Sequence, residues 1–173
     1  MTQLVITAVG PDRPGLVGEI TGHIQSAGGN ILDSRMVNLR GQFALVLLME
    51  AEPAAVDALE KTLPATLEAI GLKLTVTRQS PLRQPVAGVP MKLKTYSMDQ
   101  PGIVHRITRV LHSNGVNIEE LSSRQESAPF DGTPLFLMEM RVTVPPAMPI
   151  RKLRAELEAL CDSLNCSLDF EPA

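Results

Sequence analysis

The chain carries the same pattern twice at a fixed spacing. Asp12–Gly15 precedes a helical apolar pattern that ends at Gly28–Ile31, and Asp99–Gly102 precedes one that ends at Gly115–Ile118. The offset is 87 residues at both ends, since 99 − 12 = 87 and 117 − 30 = 87. A constant offset over such a stretch indicates a duplicated domain. The 173 residues therefore hold two units, each near the smallest size that builds its own core.

Apolar periodicity predicts the element order βαββαβ in both halves. The first half has predicted strands at Leu4–Val9, Asn30–Arg40, Phe43–Met49 and Leu72–Arg78, and helices at Gly15–Ala27 and Ala54–Ile70. The second has strands at Met91–Met98, Val116–Gln125, Leu135–Val144 and Cys166–Phe170, and helices at Gly102–Ser113 and Pro149–Ser163. This order predicts an α+β protein of two ferredoxin-like domains, each with two helices on one face of a four-stranded antiparallel sheet.

Prolines mark two interruptions. Pro64 lies inside the second helical stretch, which predicts two helical pieces or a kink. Residues 80–90 contain three prolines and a glycine, a composition that does not suit a helix or a central strand. We therefore expect the first domain at residues 1–79, a linker at residues 80–90 and the second domain at residues 91–173.

The predicted strand Phe43–Met49 is apolar on both faces. One face should meet the helices, whereas the other would meet water in a single four-stranded layer. We expect that open face to pack on the sister domain, on another subunit or on a partner.

Composition argues against several classes of function. The formal net charge is −3, only 3% of residues are aromatic and there is no Trp, so direct nucleic-acid binding is disfavoured. The sequence has no basic start followed by a long apolar run and no apolar run of about 18 residues. We therefore expect a cytoplasmic protein that does not enter a membrane.

The usual catalytic and metal-binding patterns are missing. Cys161 and Cys166 form a C-x4-C pair without the second pair that a zinc site needs, and we expect both to be reduced thiols. His105 and His112 lie two helical turns apart without a carboxylate or cysteine at ligand spacing. No nucleophile elbow or zinc-protease helix occurs. The sequence predicts no enzyme, no cofactor and no metal.

The repeated loop has the chemistry of an anion site. Gly15 and Gly102 stand where a strand ends and a helix begins, and the first-turn N–H groups of Gly15, Leu16 and Val17 are free to meet a small anion. The carboxylate of Asp12 beside them would accept hydrogen bonds from an ammonium group. An α-amino acid is a ligand that carries both a small anionic group and an ammonium group.

Asn30 and Asn117 start the next strand in each half and could hydrogen-bond to either end of such a ligand. A simpler interpretation is also open. Asp12 and Asp99 would then only cap their helices, and the two asparagines would only occupy turns.

The motif Gly10–Gly15 (GPDRPG), followed by Gly-x-Asn-Ile in a βαββαβ unit, resembles the ACT domain, a regulatory module that commonly binds amino acids. Two such units without an attached enzyme are similar to the glycine cleavage system transcriptional repressor family. The resemblance implies that ACT domains pair side by side into an eight-stranded sheet, with the ligand between the first loop of one domain and the second strand of the other. The ligand residues that it implies are Asp12, Gly15 and Leu16 facing Asn117 and Ile118, and Asp99, Gly102 and Ile103 facing Asn30 and Ile31.

The function that the resemblance implies is that of a non-enzymatic regulator that responds to glycine or a similar amino acid. It would repress glycine cleavage genes through a protein partner, a transcriptional activator of the LysR type, without direct contact to nucleic acid. The alternative is an amino-acid-sensing regulatory subunit of a metabolic enzyme. Similar GPDRPG starts occur in formyltetrahydrofolate deformylase, whose hydrolase portion is absent here. A homo-oligomer stays open.

Overall fold

The computed structural model describes residues 1–79, 87–127 and 132–173. The first part holds β1 (Thr2–Pro11), α1 (Leu16–Ser26), β2 (Asn30–Leu39), β3 (Gln42–Ala51), α2 (Pro53–Ala69) and β4 (Lys73–Arg78). The second part holds β5 (Val89–Met98), α3 (Ile103–Ser113), β6 (Asn117–Ser127), β7 (Pro134–Val144), α4 (Ile150–Ser163) and β8 (Cys166–Pro172). The predicted order βαββαβ is confirmed twice.

The strands form two four-stranded antiparallel sheets, in the orders β2-β3-β1-β4 and β6-β7-β5-β8. This is the predicted α+β, ferredoxin-like fold. In the first sheet Pro11 pairs with Gln42, and in the second Met98 pairs with Leu135. The offset between the repeats is therefore 98 − 11 = 87 residues at the ends of β1 and β5, but 135 − 42 = 93 at their partners in β3 and β7. The extra residues lie in the hairpin of β6 and β7, which is longer than that of β2 and β3.

The chain divides into two compact units, Met1–Arg83 (unit 1) and Gln84–Ala173 (unit 2). Part of the predicted linker, residues 80–86, lies outside the described residues. The linker prediction is wrong at its end, because β5 begins at Val89 and contains Pro90. Pro90 is tolerated in this central strand because it is the second residue, and the ladder to β8 begins only at Met91.

Each helix packs one apolar stripe on its sheet. In α1 the buried stripe is Leu16, Ile20 and Ile24, spaced four residues apart, and α3 buries the three residues at the 87-residue offset. Val17, which shares the apolar pattern, is 42% exposed and lies outside the core. The stripe faces alternate residues of the central strand, which in β1 are Leu4, Ile6 and Ala8.

The helix α2 runs unbroken from Pro53 to Ala69 with Pro64 inside it, so the prediction of two pieces is wrong. Its buried residues continue on both sides of the proline, with Leu63 before it and Leu67 after it. Burial of this stripe against the sheet outweighs the one backbone hydrogen bond that Pro64 removes. No helix in the described part of the chain is long and apolar enough to cross a membrane.

The side of the first sheet that faces away from the helices is partly apolar, as the strand Phe43–Met49 predicted. In β3 the burial alternates, and Val46, on the outer side, is 48% exposed. What covers this side stays a prediction.

Both cysteines are free thiols and buried in unit 2. Burial, with smaller contributions from Cys166 and Asp162, raises the pKa of Cys161 to about 11. The Cys161 thiol is therefore protonated and unreactive near neutral pH.

Gly10 lies where a side chain has no room. A Cβ added there would lie 2.6 Å from the carbonyl oxygen of Gly71 and 2.8 Å from Cδ2 of Leu72. Unit 2 has Ser97 at the equivalent position, where it pairs with Cys166.

We expect Gly10→Ala to destabilise the protein by about 1–3 kcal/mol, because the Gly71 carbonyl must move. The matched control is Gly22→Ala in α1, where an added Cβ meets nothing within 4 Å. That change should stabilise by roughly 0.5–1 kcal/mol through helix propensity. Urea denaturation of both variants measures the difference, and equal midpoints would contradict the contact at Gly10.

Candidate functional site

The loop between β1 and α1 depends on a left-handed backbone at Gly15. Gly15 has φ +96° and forms the N-cap of α1, with its carbonyl accepting a hydrogen bond from the Glu19 N–H at 2.9 Å. Gly102 repeats this at the start of α3, with φ +94° and a 2.9 Å bond from the Arg106 N–H. Since L side chains rarely adopt this conformation, glycine is required at both turns.

The N–H groups at the start of α1 are available. Among the described residues, no acceptor is found for the N–H groups of Gly15, Leu16 and Val17. The Leu16 side chain is only 2% exposed and belongs to the core, as does that of Ile103 in unit 2. Both residues can therefore contribute to a ligand site only through their backbone.

Asp12 does not cap α1, so the simpler interpretation of this residue is wrong. The helix has no side-chain cap hydrogen bond. Instead the Asp12 carboxylate accepts a hydrogen bond from the side-chain amide of Asn38, near the end of β2. The Asp12 N–H donates to the Gly41 carbonyl at 2.8 Å, and the Gly41 N–H donates to Asn38 Oδ1 at 3.0 Å. The loop is thus tied to the β2–β3 hairpin.

Unit 2 repeats this link with a longer side chain. Gln125 Nε2 donates to Asp99 Oδ2 at 2.7 Å, and α3 likewise has no side-chain cap. Neither amide was predicted from the sequence. The signal was present, because Asn38 and Gln125 are related by the repeat offset, 125 − 38 = 87.

The loop of unit 1 borders a cavity of about 460 Å³. Its lining residues are Asp12, Arg13, Pro14, Gly15, Leu16, Val17, Gly18, Met36 and Phe43. Met36 and Phe43 supply an apolar wall that was not predicted as part of the site. The cavity therefore combines free backbone donors, one carboxylate and an apolar surface, within the size range of small-molecule sites.

The rim of this cavity carries an ion pair. Arg13 donates to both carboxylate oxygens of Glu19, at 2.6 and 2.9 Å, and these bonds lower the pKa of Glu19. Both side chains are more than 40% exposed, so the pair adds little stability. It makes the rim electrically neutral.

Unit 2 has a different rim. Gln100 replaces Arg13 and donates to the Leu164 carbonyl at 2.6 Å, and Arg106 replaces Glu19 and donates to Ser163 at 3.2 Å. The second loop is thus anchored to the end of α4, and among the residues that the structure describes Arg106 forms no ion pair. The two loops share a backbone but differ in charge.

The predicted asparagines lie at the other end of each sheet. Asn30 pairs with Glu50, which pairs with Gln3, whereas Asp12 follows the last residue of β1. The separation along β1 is eight residues, or about 27 Å. A single unit therefore does not bring Asp12 and Asn30 together. That an asparagine of one unit faces the loop of the other stays a prediction.

The two asparagines also differ in their surroundings. Asn117 donates to Glu119 Oε1 at 2.7 Å, and Thr143 donates to the same oxygen at 2.9 Å. These bonds lower the pKa of Glu119. In unit 1 the position equivalent to Glu119 is Leu32, so Asn30 has no such partner there. Ile31 and Ile118, beside the asparagines, are half-buried against the two cores.

The comparisons with known proteins agree with this fold. The ACT domain family model matches residues 2–77. The glycine cleavage system transcriptional repressor of Escherichia coli K12 is 30% identical over 162 residues, which cover 94% of this chain and 85% of that protein. The crystal structure of an unknown protein from Galdieria sulphuraria superposes with a TM-score of 0.85 at 27% identity, covering 99% of this chain and 98% of the other.

A further crystal structure, of a protein assigned as a glycine cleavage system transcriptional repressor, has a TM-score of 0.72 at 28% identity over 99% of this chain and 98% of that one. Fold and loop together define an ACT-domain protein of the regulatory class. The chain belongs to the glycine cleavage system transcriptional repressor family. This relationship supports a regulatory role.

The Asp12–Asn38 link gives a testable coupling. We expect a double-mutant cycle of Asp12→Ala and Asn38→Ala to show a coupling free energy of about 1 kcal/mol in urea denaturation. A cycle of Asp12→Ala with Asn30→Ala is the control, because those residues lie at opposite ends of the sheet, and its coupling should stay below about 0.5 kcal/mol. Equal coupling in the two cycles would contradict the geometry.

Proposed function

We propose that the chain is a non-enzymatic regulator that binds an α-amino acid, glycine or a similar one, at the loop between β1 and α1 and at the equivalent loop of unit 2. The observation that carries the proposal is the cavity of unit 1. There the free N–H groups of the first turn and the Asp12 carboxylate line the same space.

The two ends of an amino acid match these groups. Its carboxylate would accept hydrogen bonds from the N–H groups of Gly15, Leu16 and Val17, with the helix dipole favouring the negative charge. Its ammonium would donate to Asp12. The amide of Asn38 already holds the Asp12 carboxylate in position, so little ordering of that side chain opposes binding.

The apolar wall would select the side chain. Met36 lines the cavity with a half-exposed side chain, whereas Phe43 is fully buried and supports this wall from the core side. An amino acid with a small or apolar side chain fits this wall, whereas a charged side chain would lose hydration without gaining a partner.

We propose further that the amino acid changes the affinity of the chain for a protein partner, an activator of the LysR type, and so controls repression of glycine cleavage genes. The name of the Escherichia coli relative supports control of glycine cleavage genes. The net charge of −3 supports a route that does not depend on direct contact with DNA. The ligand acts on the partner only if it binds one conformation of the protein better than another.

Gly15→Val should weaken amino-acid binding at the first loop by at least about tenfold while the fold persists. The valine would stand at the edge of the cavity and strain a backbone with φ +96°. Gly102→Val should act in the same way at the second loop. Calorimetric titration with the twenty amino acids, glycine first, measures affinity, and far-UV circular dichroism measures the fold.

The control is Gly71→Val. Gly71 also has positive φ, +83°, with nothing within 4 Å of an added Cβ, but it does not line the cavity. It imposes the same kind of backbone strain and should leave affinity unchanged. If Gly15→Val binds as tightly as the wild type with its fold intact, the loop is a structural turn and the ligand proposal is wrong.

The regulatory proposal predicts a promoter experiment. The purified chain alone should not bind a glycine cleavage promoter, and with the activator present it should form a complex whose affinity changes with glycine. Allosteric coupling of this kind is typically about 5–150-fold, and it is reciprocal, so the activator should shift glycine affinity by the same factor. The double variant Gly15→Val and Gly102→Val should form the complex without the glycine response.

Three outcomes would count against this route. Specific binding of the chain alone to the promoter would show that it contacts DNA directly and does not need the partner. A complex whose affinity does not change with any amino acid would mean that the chain is a scaffold and not an amino-acid sensor. Capture of a metabolic enzyme whose activity follows the amino acid would favour the regulatory-subunit alternative.

A further inference from the structure

A cavity of about 460 Å³ lies in unit 2, away from the loop between β5 and α3. It lies at the corner where α3 ends and β6 begins. Its lining residues are His105, Thr108, Arg109, His112, Val116, Asn117 and Ile118. One of these is a permanent cation, two are imidazoles, and none is a carboxylate.

The three basic side chains form one stripe. His105, Arg109 and His112 are spaced at i, i+4 and i+7, which places them on one side of α3. All three are exposed. Across the described ranges Arg109 has neither a hydrogen bond nor an ion pair, so its five N–H donors are available to a ligand.

Packing does not require this stripe. The equivalent residues of α1, at the 87-residue offset, are Gly18, Gly22 and Gln25. The buried residues of the two helices match, so α1 and α3 pack on their sheets through the same positions. The same corner of the fold therefore forms in unit 1 without an ionisable side chain at any of these three positions.

Helix stability explains only part of the stripe. His112 lies in the last turn of α3, where a positive charge interacts favourably with the helix dipole. Arg109 and His105 lie further from that end, so the helix dipole does not account for them.

We propose that this corner of unit 2 binds a small, multiply charged anion bearing phosphoryl or carboxylate groups. Arg109 would donate a pair of N–H groups to two of its oxygens, with His105 and His112 donating on either side. Asn117 would add the amide hydrogen that Glu119 does not use.

Two observations define the class of ligand. Within the described residues no group of three or more His, Cys, Asp or Glu is placed to hold a metal ion, so the cluster suits an anion. The cavity is in the size range of small-molecule sites. The carboxylate of Glu119, which accepts a hydrogen bond from the lining residue Asn117, also accepts one from Thr143 on the neighbouring strand.

The two proposals share Asn117 and Ile118 but can be tested separately. The anion proposal depends on side chains of α3, whereas the amino-acid proposal depends on the backbone and aspartate of the first loops. Failure of one proposal leaves the other unaffected, because Gly15→Val and Gly102→Val should not change anion affinity.

The test is calorimetric titration of the full chain with inorganic pyrophosphate and, separately, with citrate, at constant ionic strength. We expect one of the two to bind, and Arg109→Gln to weaken it at least about tenfold, since a charge-assisted hydrogen-bond pair is lost. The matched control is Arg151→Gln on α4, which removes the same charge from an exposed residue outside the cavity. It should change the affinity less than about twofold.

The two probes distinguish phosphoryl from carboxylate ligands. The site is absent if neither probe binds wild-type protein, or if Arg109→Gln and Arg151→Gln lose affinity equally, which would indicate attraction by charge in general. Thermal unfolding of both variants confirms that each is folded, and their exposed positions make large losses of stability unexpected.

Discussion

The left-handed glycine at the start of the first helix of each unit is the constraint on which the proposed sites depend. Because Gly15 and Gly102 adopt positive φ, the chain turns from strand to helix at once, and the first-turn N–H groups find no acceptor in the part of the chain that the structure describes. In each unit the preceding aspartate does not cap the helix and accepts a hydrogen bond from a side-chain amide of the neighbouring hairpin. A side chain at the glycine would disturb both features.

The duplicated scaffold carries two different chemistries. The backbone and the buried stripes agree between units, whereas the exposed positions diverge in charge. The first loop has an ion pair between Arg13 and Glu19, where the second has Arg106 bonded to Ser163. The α1 corner has glycines where the α3 corner has Arg109 and two histidines. Since buried positions determine the fold and exposed ones are free to vary, one architecture presents differently charged surfaces in its two copies.

Most elements were predictable because their signals are local and repeated. Apolar periodicity gave every strand and helix to within two residues at each end, and the repeat made each half a check on the other. The errors occurred at prolines. Pro64 predicted two helical pieces or a kink, and the first alternative is wrong because the buried residues on both sides of it keep the helix continuous. Pro90 was assigned to the linker, but the ladder of β5 with β7 includes it.

By itself the sequence determined the fold, the glycine turns and the candidate aspartates, because these follow from periodicity and from backbone conformations that few residues adopt. Only the tertiary structure decided what those residues touch. The bond from Asn38 to Asp12 joins positions 26 residues apart, and Met36 and Phe43 reach the cavity through strand pairing. Strand register brings such side chains together and places Asn30 at the far end of the sheet, and register depends on the packing of the whole unit.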